Sequence, residues 1–444
     1  MLRSGPRWAR SWLHSDRPVP RLVARPVRHF LATEAAGGIL LLAATVVALA
    51  WANSPFSDSY SALWETHLRI QLGDLVLDED LRHWVNDALM AIFFFVVGLE
   101  IKRELVVGEL NELRRAAFPV LAAVGGMVVP ALFYALLNAG GPGGSGWGIP
   151  MATDIAFAVG VLALLSNRVP SGLKVFLLSL AIVDDIGAIL VIALFYSGGI
   201  QAQWLVVAGL LLALIVVLRR LKVLWVPVYV VIGTVVWLAT FESGVHATIA
   251  GVALGLLTPA RPTDPGGFPD VLDHATNLSS EPDAQSLRAV AFQAGEVVSV
   301  AERLEHLLHP WTSYLIIPLF ALANAGVAIS RETLGDAIAS PVALGIILGL
   351  VAGKVIGISA FSWLAIKLRL GEAPAGVRPS HLVGTAAVAG IGFTVSLFIT
   401  ALAFEEQELV DVAKMGVLLA SLIAGLLGAT ILLLGPRSEE PVEE

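Results

Sequence analysis

Cysteine is absent from the 444-residue chain, which excludes disulfides, zinc–thiolate centres and iron–sulfur clusters, and we expect no cofactor. Charge is also scarce: Asp, Glu, Lys and Arg make up 14% of the residues, whereas 57% are hydrophobic. A soluble globular protein of this length could not cover its surface with so few charges. The composition therefore predicts a polytopic membrane protein, and the net charge of −8 gives no reason to expect a nucleic-acid partner.

Long apolar runs recur along the chain, and a membrane-spanning helix needs about 20 such residues. The loops between them support an even number of spans. With both termini cytoplasmic, 23 of the 28 Lys and Arg fall in cytoplasmic segments and four in outer ones, as the positive-inside rule requires. The twelve predicted spans lie near 31–52, 84–107, 117–137, 147–166, 173–196, 201–218, 223–240, 244–258, 311–329, 341–366, 380–403 and 408–434.

The segments outside the spans have distinct compositions. Residues 1–29 form an arginine-rich tail, residues 30–434 the twelve-helix domain, and residues 435–444 an acidic tail, with both tails expected in the cytoplasm. Residues 259–303 form a cytoplasmic insertion that begins rich in Pro and Gly. Its second half carries apolar residues at helical spacing, which predicts an amphipathic helix.

Alternating apolar and polar residues predict a small β-hairpin over residues 66–77, outside the cytoplasm. Leu68, Ile70 and Leu72 alternate with polar neighbours, and Gly73 and Asp74 have the composition of a tight turn. An exposed hairpin has free edges that often pair with another chain. We therefore expect this hairpin to form a homodimer contact.

Two adjacent carboxylates, Asp184 and Asp185, lie in the middle of the fifth span, in KVFLLSLAIVDDIGAILVIALFY (174–196). A charge at the centre of the bilayer costs at least ~2.5–3.5 kcal/mol, so the pair needs a polar cavity or partners. One interpretation is a salt bridge that holds helices together. We favour a cation or proton site, because carboxylate oxygens suit hard cations and intramembrane acids mark proton pathways.

The fourth and eleventh spans contain helix-weakening residues near their centres. The fourth has Gly and Pro just before Thr153 and Asp154, and the eleventh reads GTAAVAGIGFTVSLF (384–398). Small residues could merely allow close packing of helices. However, these spans are the middle helices of the triples 3–5 and 10–12, and an offset of seven spans inverts the two triples in the membrane. Paired interrupted helices of this kind point to a transporter's ion site near the bilayer midplane.

Lys354 lies inside the tenth span. The next basic residue, Lys367, is thirteen residues away, or about 20 Å along a helix, which disfavours an ammonium that reaches the membrane surface. We expect Lys354 to pair with one of the intramembrane aspartates. The sequence leaves its partner open.

Several strings together resemble the NhaA family of sodium/proton antiporters, in order and over nearly all of residues 30–430. The resemblance implies an all-α polytopic fold of 12 transmembrane helices, with inverted-topology repeats (helices 3–5 and 10–12), two broken crossing helices (4 and 11) and a small extracytoplasmic β-hairpin. The strings are NDALMAIFFFVVGLEIKREL (86–105), ATDIAFAVG (152–160), LSLAIVDDIGAI (178–189), SGVHATIAG (243–251), RLEHLLHPW (303–311), PLFALANAG (318–326) and AGIGFT (389–394).

The resemblance also implies roles for the intramembrane residues. Asp185 would be the main Na+ or Li+ ligand and a proton carrier, and Asp184 a second carrier or the partner of Lys354. Thr153 and Asp154 would lie at the break of the fourth helix. Asp154 would offset the positive N-terminal ends of half-helices, and Lys354 the negative C-terminal ends.

A second group of residues is implied in pH sensing. These residues lie near membrane boundaries, where ion pairs and polar contacts without any regulatory role are also common. The 259–303 insertion is longer than the loop usual in the family and leads into this group, which puts the pH dependence in question. The implied residues are Glu100, Arg103, Glu305, His306 and His309 on the cytoplasmic side and His246 on the outer side.

We therefore expect a secondary active transporter, not an enzyme. It would be an electrogenic, pH-regulated antiporter that exchanges Na+ or Li+ for H+ in a bacterial inner membrane. Alternatives are a related transporter that exchanges K+ for H+ or couples an organic anion to Na+. An intramembrane aspartyl protease would need an Asp within a GxGD sequence, and a cation channel would need a repeated filter; the chain shows neither.

Overall fold

The computed structural model describes residues 35–435 with gaps. The predicted basic tail, the acidic tail after Gly435 and much of the 259–303 insertion, including most of its amphipathic helix, lie outside the described residues. The gaps are at 74, 166–167, 222, 224, 263–265, 268, 270, 273–289, 291–292, 295, 331–334, 336–338 and 373–375.

The described chain is mostly helical and contains a two-stranded sheet, which confirms the predicted helical class and the hairpin. The sheet consists of β1 (His67–Leu72) and β2 (Leu75–Asp80). Short 3-10 helices span Glu109–Asn111 and Pro142–Met151. The longer helices are α1 (Ala36–Ala52), α2 (Ser57–Trp64), α3 (Leu81–Val106), α4 (Leu113–Asn138), α5 (Ile155–Leu164), α6 (Ser171–Phe195), α7 (Ala202–Arg220), α8 (Val226–Glu242), α9 (Thr248–Leu257), α10 (Val300–Trp311), α11 (Ile317–Asn324), α12 (Pro341–Lys367), α13 (Pro379–Val388), α14 (Phe393–Ala403) and α15 (Gln407–Leu434).

Six described helices are long and apolar enough to cross a membrane: α3, α4, α6, α7, α12 and α15. The 3-10 helix before α5 is bent by 44° from α5, and α13 is bent by 46° from α14. The pair α1 and α2 is bent much more sharply, by 116°, and α8 and α9 are shorter apolar helices. The protein is therefore a multi-pass membrane protein, while the count of twelve spans stays a prediction.

The hairpin has the predicted two-residue turn, and its second strand runs three residues beyond the predicted end at 77. Leu72 lies opposite Leu75, and Ile70 lies opposite Leu77. Gly73 has a φ of 63°, in the left-handed region that such turns require and that glycine adopts without strain.

Glycines let two pairs of helices approach closely. A Cβ atom on Gly357 of α12 would lie 2.1 Å from the carbonyl oxygen of Gly125 in α4, and one on Gly251 of α9 would lie 2.1 Å from that of Ala91 in α3. Helices in lipid associate mainly through such close packing, because lipid tails are as apolar as the helix surfaces. The contact between α4 and α12 helps to position Lys354 at the centre of the protein.

Candidate ion-binding site

The two interrupted helices meet at their breaks. Residues 152–154 separate the 3-10 helix from α5, and residues 389–392 separate α13 from α14. The backbone N–H of Asp154 donates to the carbonyl oxygen of Ile391 at 2.6 Å, which joins the two breaks directly. Each break lies where Gly, Pro or Thr predicted a weakened helix.

Asp154 accepts hydrogen bonds at the beginnings of two half-helices. Its Oδ1 accepts from the backbone N–H of Phe157 in α5 at 2.9 Å. Its Oδ2 accepts from the backbone N–H and the hydroxyl of Thr394 in α14, at 3.0 and 2.6 Å. The N-terminal end of a helix carries a partial positive charge of about half a unit, so one buried carboxylate offsets two such ends.

Asp184 pairs with Lys354, which answers the question that the sequence left open. Both side chains are fully buried, and the Lys354 ammonium donates to Asp184 Oδ2 and, at 3.0 Å, to the Thr153 hydroxyl. The Thr153 hydroxyl lies 2.7 Å from Asp184 Oδ2 and 2.8 Å from the carbonyl oxygen of Ala389, which caps the C-terminal end of α13. Lys354 therefore lies close to a negative helix end as well as to a carboxylate.

Asp185 has a different environment from its neighbour. It is 5% exposed, and its side chain makes no hydrogen bond or ion pair within the part of the chain that the structure describes. It interacts electrostatically with Asp184, Asp154 and Glu100, and with Lys354 as the opposing charge. Successive residues of a helix point about 100° apart, so Asp185 faces away from the pair that Asp184 forms.

The site carries more acidic than basic groups. Asp154, Asp184 and Asp185 are buried together with one ammonium, that of Lys354. Within the described residues, no group of three or more Asp, Glu or His side chains is arranged to hold a metal ion. The Asp185 carboxylate, which has no partner among the described residues, can hold a proton or a monovalent cation.

A second ionic cluster lies where α3 meets α10. Arg103 Nη1 lies 2.8 Å from Glu305 Oε1, and Arg103 Nη2 lies 3.8 Å from Glu104 Oε1. Glu100 interacts electrostatically with Glu305, Arg103 and Glu104. Glu104 was not predicted from the sequence, although its position one helical turn after Glu100 was a usable signal.

Burial raises the pKa of Glu305 above its usual value, while Arg103 acts in the opposite direction and the acids Glu302 and Glu104 raise it further. The Oε2 atom of Glu305 is buried and accepts no hydrogen bond from the described residues. Its carboxyl group therefore holds a proton to a higher pH than an exposed glutamate does.

Of the three predicted histidines, His306 lies at the edge of this cluster, His309 lies beyond His306, and His246 lies in another part of the molecule. His306 is exposed and interacts electrostatically with Glu305, whereas the exposed His309 interacts with His306. His246 lies elsewhere, between α8 and α9, with its Nε2 2.8 Å from the carbonyl oxygen of Tyr196. The structure thus brings together Glu100, Arg103 and Glu305, with only His306 nearby.

A family model described as Na+/H+ antiporter 1 matches residues 28–432. The chain belongs to this family. A Na(+)/H(+) antiporter NhaA 3 from Frankia alni is 47% identical over 428 residues, which cover 95% of this chain and 92% of the relative. An NhaA from Rhodopirellula baltica is 48% identical, covering 94% and 95%. An NhaA 2 from Myxococcus xanthus is 49% identical, covering 90% and 87%.

Proposed function

We propose that the protein is a secondary active transporter that exchanges Na+, or Li+ of similar chemistry, for H+. The observation that carries this proposal is the buried Asp185 carboxylate, which has no partner among the described residues and lies beside the Asp184–Lys354 pair. Membership of the antiporter family and the names of the similar proteins support the same reaction.

Competition for Asp185 couples the two ions. An isolated ionised carboxylate in a low-dielectric interior is costly, so the group is neutralised by a proton or by a cation. The same oxygens cannot hold both. Binding of Na+ therefore expels the proton, and alternating exposure of the site to the two sides of the membrane exchanges one ion for the other.

The Asp184–Lys354 pair can release a second proton during transport. Na+ bound at Asp185 lies close to the Lys354 ammonium and repels it, which favours loss of a proton from the pair. Two protons would then move for each Na+, and transport would be electrogenic. Inward flow of protons across a bacterial inner membrane would drive Na+ out of the cell, with both termini cytoplasmic.

The broken helices suit an ion site that must be exposed alternately to the two sides of the membrane. Asp154 compensates two N-terminal helix ends, and Lys354 lies near the C-terminal end of α13. Such half-helices can tilt about their breaks while their end charges stay compensated. The repeat of spans 3–5 in spans 10–12 remains part of this proposal.

Regulation by pH would begin at the cluster of Glu100, Arg103, Glu104 and Glu305. Glu100 interacts electrostatically both with Glu305 in this cluster and with Asp185 in the ion site. A change of protonation at Glu305 therefore changes the electrostatic potential at Glu100, which acts in turn on Asp185. His306, at the edge of the cluster, would add to this response.

The experiment that tests the proposal measures proton exchange in everted membrane vesicles. A pH-gradient dye is followed after addition of Na+, Li+ or K+ between pH 6 and 9. We expect dequenching with Na+ and Li+ but not with K+, and at least a hundredfold loss of rate in Asp185→Asn. A response to K+ alone would indicate a different transported ion.

The matched control is Asp411→Asn, because Asp411 lies at the beginning of α15 and bonds to Gln407 at 2.8 Å, away from the site. This variant is expected to keep the wild-type rate. Retained exchange in a folded Asp185→Asn protein would refute the assignment of the site.

A further inference from the structure

The long 3-10 helix, Pro142–Met151, leads directly into Thr153 and Asp154, but it is a weak element by itself. Four of its ten residues are glycine, which loses more conformational freedom on folding than any other residue. Runs of 3-10 helix longer than three or four residues are uncommon, because their hydrogen bonds have poor geometry. The segment therefore depends on side chains of neighbouring helices to hold Thr153 in place.

Tyr196, the first residue after α6, holds the long 3-10 helix through its hydroxyl. The hydroxyl donates to the carbonyl oxygen of Ser145 at 2.7 Å and accepts from the backbone N–H of Gly148 at 3.1 Å. A single phenol thus binds two backbone groups that lie one 3-10 turn apart. The fit is close, because a Cβ atom at Gly148 would lie 2.7 Å from the Tyr196 hydroxyl oxygen.

The backbone of Tyr196 is held in turn by its neighbours. Its N–H donates to the carbonyl oxygen of Ile192 in α6 at 3.1 Å, and its own carbonyl oxygen lies 2.8 Å from His246 Nε2. Beside it, Phe195 packs edge-on against Trp147 of the long 3-10 helix, with ring centroids 5.0 Å apart. Since the tyrosine itself is fixed, its hydroxyl can set the position of the long 3-10 helix.

The long 3-10 helix and the segment that follows it are attached to α6 at two separated points. At the break, the Thr153 hydroxyl lies 2.7 Å from Asp184 Oδ2. The second attachment is at Tyr196, which follows Asp184 by twelve residues, or about 18 Å along α6. A segment attached to α6 only at Thr153 could pivot there, whereas the second attachment fixes its direction.

Two other helices hold the same segment and limit the effect of losing one contact. Tyr134 of α4 donates to the carbonyl oxygen of Gly143 at 2.7 Å. Ser396 of α14 donates to the carbonyl oxygen of Ile149 at 2.7 Å. Loss of the Tyr196 hydroxyl should therefore loosen the long 3-10 helix without releasing it.

We propose that Tyr196 is a positioning residue of the ion site, which acts through the long 3-10 helix and touches no transported ion. Its hydroxyl keeps the break at Thr153 against Asp184, and so keeps the neighbouring Asp185 carboxylate in the arrangement that binds Na+. Without the hydroxyl, only a fraction of the molecules holds this arrangement, and the apparent affinity for Na+ falls by that fraction. The inference rests on the proposed exchange of Na+ for H+.

The test is Tyr196→Phe, which removes the hydroxyl and keeps the aromatic ring. Exchange is measured as a function of Na+ concentration in proteoliposomes that contain the full-length protein. We expect the apparent KM for Na+ to rise about three- to tenfold, the range that loss of one hydrogen bond gives. The rate at saturating Na+ should stay within about twofold of the wild type, because bound Na+ restores the arrangement.

Hydrogen exchange measured by mass spectrometry follows the long 3-10 helix directly, in detergent without Na+. The backbone amides of residues 142–151 should exchange at least about threefold faster in Tyr196→Phe, because the segment opens more often. The matched control is Tyr229→Phe, which removes a phenol that donates to the carbonyl oxygen of Val223 at 2.7 Å, in α8 and not at the long 3-10 helix. This variant should keep the wild-type KM and the wild-type amide exchange.

Gly148→Ala tests the same contact from the other side, because its methyl group would push the Tyr196 hydroxyl away. It should raise the apparent KM as Tyr196→Phe does. The double variant should bind Na+ no more weakly than the weaker single variant, since both changes break one contact. An unchanged KM in Tyr196→Phe, or effects that multiply in the double variant, would overturn the proposal.

The transport proposal and the role of Tyr196 can fail separately. A wild type that exchanges no cation, with faster amide exchange at 142–151 in Tyr196→Phe, would refute transport while supporting the contact between Tyr196 and the long 3-10 helix. Normal Na+ exchange in the wild type, with the KM and the amide exchange unchanged in Tyr196→Phe, would refute the positioning role and leave transport supported.

Discussion

Asp184 and Asp185 are adjacent in the sequence, yet among the described residues Asp184 has side-chain partners and Asp185 has none. The ammonium of Lys354 reaches Asp184 and Thr153, whereas Asp185 interacts electrostatically with three other acids, including Glu100. The sequence predicted a site at this pair but could not say which carboxylate Lys354 would meet. That choice depends on the rotation of α6 and on the approach of α12, which are tertiary features.

Lys354→Ala should destabilise the protein strongly, because it leaves the fully buried Asp184 carboxylate without its cation. Loss of one member of a buried pair typically costs about 3–5 kcal/mol. We expect a clear fall in the midpoint of thermal unfolding and a lower exchange rate. The double variant Lys354→Ala/Asp184→Asn removes both charges, so its midpoint should recover part of the loss.

The four proteins of this double-mutant cycle isolate the coupling between the two side chains. Lys367→Ala, at the exposed end of the same helix, is the control and should change the midpoint little. A fully stable and active Lys354→Ala protein, or effects that simply add in the double variant, would contradict the pairing.

Glu305→Gln should move the pH profile of exchange to lower pH. Burial raises the pKa of Glu305, and this carboxyl adds negative charge near Glu100 once it ionises. A permanent amide removes that charge and releases Arg103 to stabilise the ionised form of Glu100. Both changes help the ion site to lose its protons at lower pH. A change in Coulomb energy of about 1 kcal/mol would lower the midpoint of the pH profile by roughly 0.7 pH unit.

The measurement is the pH of half-maximal exchange, with Na+ held at saturation. Glu302→Gln is the control of opposite sign, because the exposed Glu302 raises the pKa of Glu305. Its loss lets Glu305 ionise at lower pH, so we expect a small shift of the profile to higher pH. A profile that stays in place in Glu305→Gln, or moves to higher pH, would exclude this cluster from pH control.

At the scale of single elements, local composition predicted where the fourth and eleventh spans break. Gly and Pro weaken a helix through their backbone properties alone, so the positions of the breaks can be predicted without tertiary information. The contact between the breaks could not be predicted in this way. It depends on Asp154, whose carboxylate and backbone N–H reach Thr394 and Ile391 more than 230 positions later in the chain.

Gly390→Ala should disturb this crossing. A Cβ atom at Gly390 would lie 2.3 Å from the carbonyl oxygen of Leu350, in the π-helical turn that precedes Lys354. Since backbone cannot move aside cheaply, α12 would be pushed away from the break. We expect a lower unfolding midpoint and at least a tenfold loss of apparent Na+ affinity in exchange assays.

Gly425→Ala is the matched control, because its Cβ would meet nothing closer than the Ile391 side chain at 3.4 Å, an ordinary contact. It should behave as the wild type. Equal midpoints and affinities in the two alanine variants would show that the close approach at Gly390 has no consequence for the site.

For the whole molecule, hydropathy and turn composition were sufficient to predict a mostly helical membrane fold and the β-hairpin. They could not predict how charged side chains from distant helices meet. Arg103 and Glu305, which the family resemblance grouped together, form a salt bridge, and Arg103 also lies 3.8 Å from Glu104, which the resemblance did not name.

The exposed face of the hairpin leads us to predict a contact between two copies of the chain. Leu68 and Ile70 lie on one face of β1 and are 45% and 49% exposed, although Leu77 opposite Ile70 is buried. If this face contacts a second copy of the chain, Leu68→Thr/Ile70→Thr should weaken the dimer while keeping the strand, because threonine favours β structure. Two apolar side chains at about 1–1.5 kcal/mol each predict a rise of roughly 30- to 150-fold in the dimer dissociation constant.

Light scattering on size-exclusion chromatography over a range of protein concentrations measures this constant. Val76→Thr is the control, since Val76 lies opposite Gln71 and therefore on the other face of the same hairpin, where it is 39% exposed. A wild-type protein that is monomeric at all concentrations, or equal weakening by Val76→Thr, would contradict a contact through this face. Because the ion site lies within one chain, exchange per protomer should be the same in all three proteins, which separates assembly from transport.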